Sequence, residues 1–232
     1  MFINGFDILW DEIDDYVADI KSIRSIDQFM FTKPVTFFCG ENGSGKSTLL
    51  EALAIKNGLN PEGGTRNYNF STYDSYSNLH KHMRLWRSRK PDWMYFLRAE
   101  SFYNVATKEM EYSGVFSERY HDQSHGQSFF SVLMKQTNKN GLYLLDEPEA
   151  ALSCQNQLAL LYLIQSCVKQ NCQFIIATHS PILLGFPGAQ ILSFDEDKVE
   201  EVDYKFTSSY QTMKLFFERY DYFVEDIKEN EI

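Results

Sequence analysis

The chain has 232 residues, 44% of them hydrophobic and 16% aromatic, which suits one α/β domain with a substantial core and argues against a second independent domain. Its net charge of −10 argues against wrapping a nucleic acid over the whole surface, because neutralising phosphates takes Lys and Arg; only a local basic contact is left open. No apolar run approaches the length of a bilayer span, and Met1 leads directly into Phe2-Ile3-Asn4-Gly5-Phe6 without a basic and then apolar leader, so a cytoplasmic protein without membrane insertion is expected.

Phe2 to Leu9 is β-prone, Asp11 to Asp15 is acidic, and Tyr16 to Phe31 has no clear periodicity. Trp10 or Tyr16 can stack on an adenine, but an ordinary core position is the commoner use of such a ring. Val35-Thr36-Phe37-Phe38-Cys39 then reads as a buried strand and Thr48 to Ala54 as a helix. Between them Gly40-Glu41-Asn42-Gly43-Ser44-Gly45-Lys46-Ser47 fits G-x-x-x-x-G-K-[ST] in its proper strand-loop-helix setting. Glycines there let backbone N–H groups turn inward around phosphate oxygens, and the helix N-terminus adds its positive end. Asn42, Gly43, Ser44, Gly45, Lys46, Ser47 and Thr48 are therefore candidate ATP contacts, with Lys46 reaching the β- and γ-phosphates and the Ser47 hydroxyl available to Mg²⁺. Cys39, Cys154, Cys167 and Cys172 lack C-x-x-C spacing and read as reduced structural thiols.

Asn60 to Asn67 is a Pro/Gly loop whose Arg66 either returns to the phosphates, which a guanidinium grips bidentately, or sits in solvent. Tyr76 to Lys90 predicts a helix with Leu79, Met83 and Trp86 on one stripe; Lys81, Arg84, Arg87 and Lys90 form a solvated face or a partner contact. Asp92 to Leu97 predicts a strand, and Glu100 just beyond it is either a metal or γ-phosphate neighbour or a plain surface carboxylate. Gln123-Ser124-His125-Gly126-Gln127 opens a predicted helix, where Ser124 with Gln127 also makes an S-x-x-Q capping box. Leu142 to Leu145 is continuously apolar, as a central parallel strand should be, and ends in Asp146-Glu147-Pro148-Glu149. Asp146 is the candidate Mg²⁺ carboxylate opposite Ser47, and Glu147 the base for an attacking water. Ser153 caps a helix over Gln155 to Gln170, and Gln173 to Thr178 is a further strand whose end carries His179, a candidate γ-phosphate partner. Gln190 to Phe194 and Val199 to Tyr204 predict two more strands, and Met213 to Ile227 a helix whose aromatic density suits packing on the body or on a partner.

This order of motifs resembles the ABC-class ATPases: a phosphate loop at 40–47, Ser124-His125-Gly126-Gln127 in the place of the signature, an acidic strand end at 142–147, a following loop at 150–153 and His179 in the place of the switch histidine. In detail the chain looks like short, stand-alone bacterial predicted ATPases of the AAA family, with similarity to the ATPase heads of chromosome-maintenance and repair proteins. The resemblance implies a P-loop NTPase fold of the α/β class, a mainly parallel sheet flanked by helices, with an antiparallel N-terminal portion and a small helical subdomain across about 60–135 of a single domain, 1–232. It also implies ATP and Mg²⁺ as ligands, hydrolysis of ATP, and a homodimer that closes on ATP with Ser124, Gly126 and Gln127 reaching the nucleotide held by the other copy. Arg66 gains weight too, since repair relatives carry an arginine in a comparable loop. Transport ATPases have a glutamine between phosphate loop and signature, whereas no Gln occurs here from residue 29 to 122, so Glu100 is the candidate for that place. Residues 48–123 leave no room for the long coiled coil of chromosome-maintenance proteins. The expected role is therefore a soluble regulatory or nucleic-acid-associated ATPase with a nucleic-acid or protein client; the alternatives are the ATP-binding subunit of a membrane transporter and a binding switch with negligible turnover.

Overall fold

Strands that read as unbroken apolar runs must be covered on both faces, and that requirement sets the architecture. The computed structural model describes residues 1–65, 76–98, 137 and 139–229. Its strands are β1 (Ile3–Ile8), β2 (Gln28–Met30), β3 (Val35–Cys39), β4 (Gly64–Thr65), β5 (Met83–Arg87), β6 (Trp93–Arg98), β7 (Gly141–Asp146), β8 (Gln173–Ala177), β9 (Gln190–Ser193) and β10 (Glu200–Glu201). The helices are α1 (Lys21–Arg24), α2 (Lys46–Lys56), α3 (Leu79–His82), α4 (Cys154–Val168), α5 (Pro181–Leu184), α6 (Ser208–Glu218) and α7 (Tyr220–Glu229). The main sheet has the order β10-β9-β3-β8-β7-β6-β4, parallel from β9 through β6 and antiparallel only at its two edges. A second sheet, β2-β1-β5, is wholly antiparallel.

Alternation along the central strands sends neighbouring side chains into two cores. Phe38, Leu142, Leu144 and Ile175 meet Leu49, Leu50 and Leu53 of α2 beneath the small sheet. Phe37, Tyr143, Leu145, Phe174 and Ile176 meet Leu160 and Ile164 of α4 and Leu183 and Leu184 of α5 on the other face. Each such buried side chain contributes roughly 1.5–3 kcal/mol, so the ends of these strands are fixed by what lies behind them. The two sheets are joined by Gln173, fully buried, whose Oε1 accepts from the N–H groups of Phe2 (2.7 Å) and Ile3 (3.0 Å) while its Nε2 donates to the Ile3 carbonyl (2.9 Å). Cys39, Cys154, Cys167 and Cys172 form no disulfide among the described residues, and Cys39, Cys167 and Cys172 are buried. Among the described residues no helix is long and apolar enough to cross a membrane.

The expected helix over 76–90 is corrected: only Leu79–His82 is helical, and Met83–Arg87 is a strand. The open edge of β1 outweighs the helical spacing, because pairing there satisfies the backbone of β5 and lays Trp86 over Gly5, where a Cβ would stand 2.7 Å from the ring. Nor is Arg87 a free surface cation, since its Nη2 donates to the Lys56 carbonyl (3.0 Å) and Asn57 Oδ1 (3.1 Å) at the carboxyl end of α2. The described part of 60–135 supplies β4, α3, β5 and β6; 66–75 and 99–136, where most of the expected helical subdomain falls, lie outside the described residues. Tyr204 belongs to a 3₁₀ turn beyond the short β10, and the C-terminal helix is two helices divided at Arg219. Met213, Leu215, Phe216, Phe217, Tyr220 and Ile227 on them are exposed.

Candidate functional site

Register brings the chemistry to one edge. Phe38 of β3 and Asp146 of β7 both lie beside Ala177 of β8, and Arg98 of β6 lies beside Asp146, so the residues that follow these strands emerge together at the carboxyl edge of the sheet. Gly40 begins the phosphate loop there, Glu147 follows β7, and Thr178 and His179 follow β8.

The loop is held from below by a segment that shows no periodicity in the sequence. Gly45 has φ +95°, and a Cβ on it would stand 2.7 Å from Ile23 Cδ1, so both its conformation and its neighbour demand glycine. Ser22 of α1 donates its hydroxyl to the Ser44 carbonyl, fixing the same turn. Lys46 is buried at 3% exposure and folds back on the loop, donating to the carbonyls of Gly40 (2.8 Å) and Glu41 (2.7 Å). Burial lowers its pKa, while the carboxylates of Glu147, Asp146 and Asp195 pull it back up. Asn42 and Gly43 are exposed at the tip of the loop, and nothing lies within 4 Å of a Cβ built on Gly43, so the space over the tip is open. Thr48 lies in the first turn of α2 near Tyr16, whose phenol pKa is raised by burial. Tyr16 is 53% exposed and Trp10 half-buried with its Nε1–H on the Ile26 carbonyl (2.9 Å), so of the two rings only Trp10 takes the core position.

Opposite the loop, Ser47 Oγ donates to Asp146 Oδ1 at 2.8 Å. Asp146 is buried, and Arg98 Nε stands 3.8 Å from its second oxygen. The same guanidinium holds Glu51 of α2 through Nη1 at 2.7 Å; burial raises the Glu51 carboxyl and Arg98 works against that. Glu147 adopts φ +48°, ψ 50°, a left-handed conformation rare for a residue with a Cβ, and it turns the chain sharply out of β7 into a 3₁₀ turn, Pro148–Ala151. Its N–H donates to the Ala177 carbonyl (2.9 Å) and its carboxylate lies 3.5 Å from His179 Nε2. That ring nitrogen is buried without a hydrogen-bond partner among the described residues, while the His179 N–H donates to Glu149 Oε1 at 2.6 Å. Ser180 caps α5 and donates to Gln157 of α4 (2.6 Å), which anchors the histidine segment to the core.

The structure thus brings Lys46, Ser47, Asp146, Glu147 and His179 together. Arg66, Glu100, Ser124, Gly126 and Gln127 lie outside the described residues. Arg98, Glu149 and Ser22 are neighbours to which motif reading gave no role; for Arg98 the available signal was a cation at the end of the strand expected over Asp92 to Leu97. The residues present fit a nucleotide with Mg²⁺: an open glycine tip, a lysine folded onto its own loop, a serine–carboxylate oxygen pair of the kind Mg²⁺ takes, and an orphaned imidazole nitrogen.

Two segments of the chain match family models, residues 17–84 an AAA domain and residues 125–184 an AAA ATPase domain, and these cover the phosphate loop and the acidic and histidine strand ends respectively. The chain is also 28% identical to a Haemophilus influenzae protein described as an uncharacterized ABC transporter ATP-binding protein, across 68% of this chain and 68% of that one. These matches place AAA-type ATPase segments in the chain and give it an ABC-type ATP-binding relative. Among solved structures the chain is similar to cbiO1 from Clostridium perfringens, part of the ABC transporter complex cbiONQ, with 17% identity, 97% and 100% coverage of the two chains and a TM-score of 0.46. It is also similar to a nucleotide-free ATP-binding cassette from an ABC transporter, with 15% identity, 93% and 95% coverage and a TM-score of 0.43. The fold is read from the chain's own strand order and from the loop between β3 and α2, not from these distant likenesses.

Proposed function

We propose that the chain binds ATP with Mg²⁺ and hydrolyses it, with hydrolysis coupled to closure of two copies of the chain. The observation that carries this reading is the convergence of the Lys46 loop, the Ser47–Asp146 pair and the Glu147–His179 pair at one sheet edge. Ser47 and Asp146 would hold Mg²⁺, whose charge offsets that of the phosphates. Lys46 leaves the Gly40 and Glu41 carbonyls for the phosphate oxygens, so binding exchanges internal hydrogen bonds for stronger ones to an anion. Glu147 orients and deprotonates water, and His179 Nε2 donates to the γ-phosphate, which requires its proton on that nitrogen. Two-fold closure, with Ser124 and Gly126 completing the partner's site, is part of the same proposal, as are a cytoplasmic location and a regulatory or nucleic-acid-associated role.

One observation favours a second reading, the energy subunit of a membrane transporter: the Haemophilus relative carries that description. Co-purification with an integral membrane protein would select it. The test of the primary reading is steady-state phosphate release. Glu147→Gln should retain ATP binding and lose hydrolysis by about a hundredfold or more, while Lys46→Ala should fail at binding. Wild-type turnover in the Gln variant would remove Glu147 as the base, and negligible turnover in the wild type would leave a binding switch.

A further inference from the structure

Asp195 follows β9 on the far side of the phosphate loop from Asp146 and plays no part in the reaction described above. It gathers three separate segments. Its Oδ1 accepts from the Glu41 N–H at 2.9 Å, and its Oδ2 accepts from Ser193 Oγ at 3.1 Å and from Ser208 Oγ, the first residue of α6, at 3.0 Å. The contact with the loop is close: Gly40 has φ +136°, and a Cβ there would stand 3.1 Å from Asp195 Oδ1. Backbone pairing continues the attachment, since the Phe194 N–H donates to the Cys39 carbonyl at 2.8 Å. The Gly40–Glu41 peptide is thus held at both ends, its N–H by Asp195 and its carbonyl, that of Gly40, by Lys46. When Lys46 turns to phosphate, Asp195 is the remaining side-chain hold on that peptide.

The same region ties the C-terminal helices to the histidine segment. Tyr204 OH donates to the Pro181 carbonyl at 2.9 Å, and a cavity of about 520 Å³ separates Gly40, Glu41 and His179 from Thr212, Met213 and Phe216 of α6. Resting on the nucleotide-binding reading, we infer that Asp195 is a positioning residue for the phosphate loop, and that through Ser208 it makes the loop's position answer to α6. It touches no reacting atom; its action is to keep the Gly40–Glu41 peptide in the orientation that leaves the following N–H groups turned toward the phosphates.

Two measurements on the full chain test this. In nucleotide-free protein, hydrogen exchange of the peptide spanning Gly40 to Ser44 should quicken by about tenfold in Asp195→Ala, with exchange in β8 unchanged. Asp195→Asn should stay close to wild type, because Oδ1 still accepts from Glu41 and the amide donates to the two serines in place of accepting from them. Binding of a non-hydrolysable ATP analogue with Mg²⁺ should weaken by about tenfold in Asp195→Ala and by less than about threefold in Asp195→Asn. Ser208→Ala should give a smaller loss in the same direction. Exchange and affinity within about twofold of wild type in Asp195→Ala would overturn the proposal, as would an Asn variant as defective as Ala; a silent Ser208→Ala would overturn the link to α6. If the wild type binds no nucleotide, the proposed function falls, and the exchange rates alone still decide the Asp195 proposal in one direction or the other.

Discussion

Arg98 stands between two carboxylates with different duties, Glu51 of α2 and Asp146 of the site, at 2.7 Å and 3.8 Å. Burial raises the Glu51 carboxyl above its ordinary value, and Arg98 is the cation that limits the rise. An acid whose folded-state pKa exceeds its unfolded value stabilises the fold at low pH and loses that contribution as pH climbs through the folded pKa. Arg98→Ala should therefore be nearly silent at about pH 4.5, near the ordinary carboxylate range, and cost about 1–3 kcal/mol by about pH 8. Urea unfolding across that range checks it. Adding Glu51→Gln should flatten the pH dependence, and a deficit independent of pH would mean that Arg98 acts by packing alone. Lys46 and Ser47 were readable from the spacing of their motif, and Asp146, Glu147 and His179 from their places at the ends of expected strands. Arg98 was not, because its role comes from register: only the pairing of β6 with β7 sets it beside Asp146.

At the scale of elements, the phosphate loop is shaped by its flanks as much as by its own glycines. Gly45→Ala meets Ile23 at 2.7 Å and places a Cβ at φ +95°, so it should lower stability by about 1–2 kcal/mol and weaken nucleotide binding by more than about tenfold. Thermal unfolding with and without ATP and Mg²⁺ separates the two effects; unchanged ATP stabilisation would contradict the buttressing role of α1. The central strands were legible because burial on both faces leaves an unbroken apolar run, as in Leu142 to Leu145. β5 was not, because Leu79, Met83 and Trp86 satisfy a helical spacing, and only the free edge of β1 selects a strand. The segment from Tyr16 to Phe31 was illegible for a related reason: its short 3₁₀ and α turns have no period, and they exist to place Ser22 and Ile23 under the loop.

For the whole molecule, the proposal of two composite sites makes a prediction that no single chain can satisfy. Lys46→Ala and Ser124→Arg should each be inactive alone, yet activity should reappear when they are mixed and subunits exchange, because one site of each mixed dimer then carries neither defect. A Ser124→Arg protein with full activity would return Ser124 to its helix-capping reading. The central claim, that ATP binding closes two chains and Glu147-dependent hydrolysis opens them, is met most directly by the mass of Glu147→Gln in solution with ATP and Mg²⁺, together with the nucleotide recovered from the sized species. The account predicts a species of twice the chain's mass holding unhydrolysed ATP, which reverts to single mass when Mg²⁺ and ATP are removed. A single-mass species, or one that yields ADP, would contradict it.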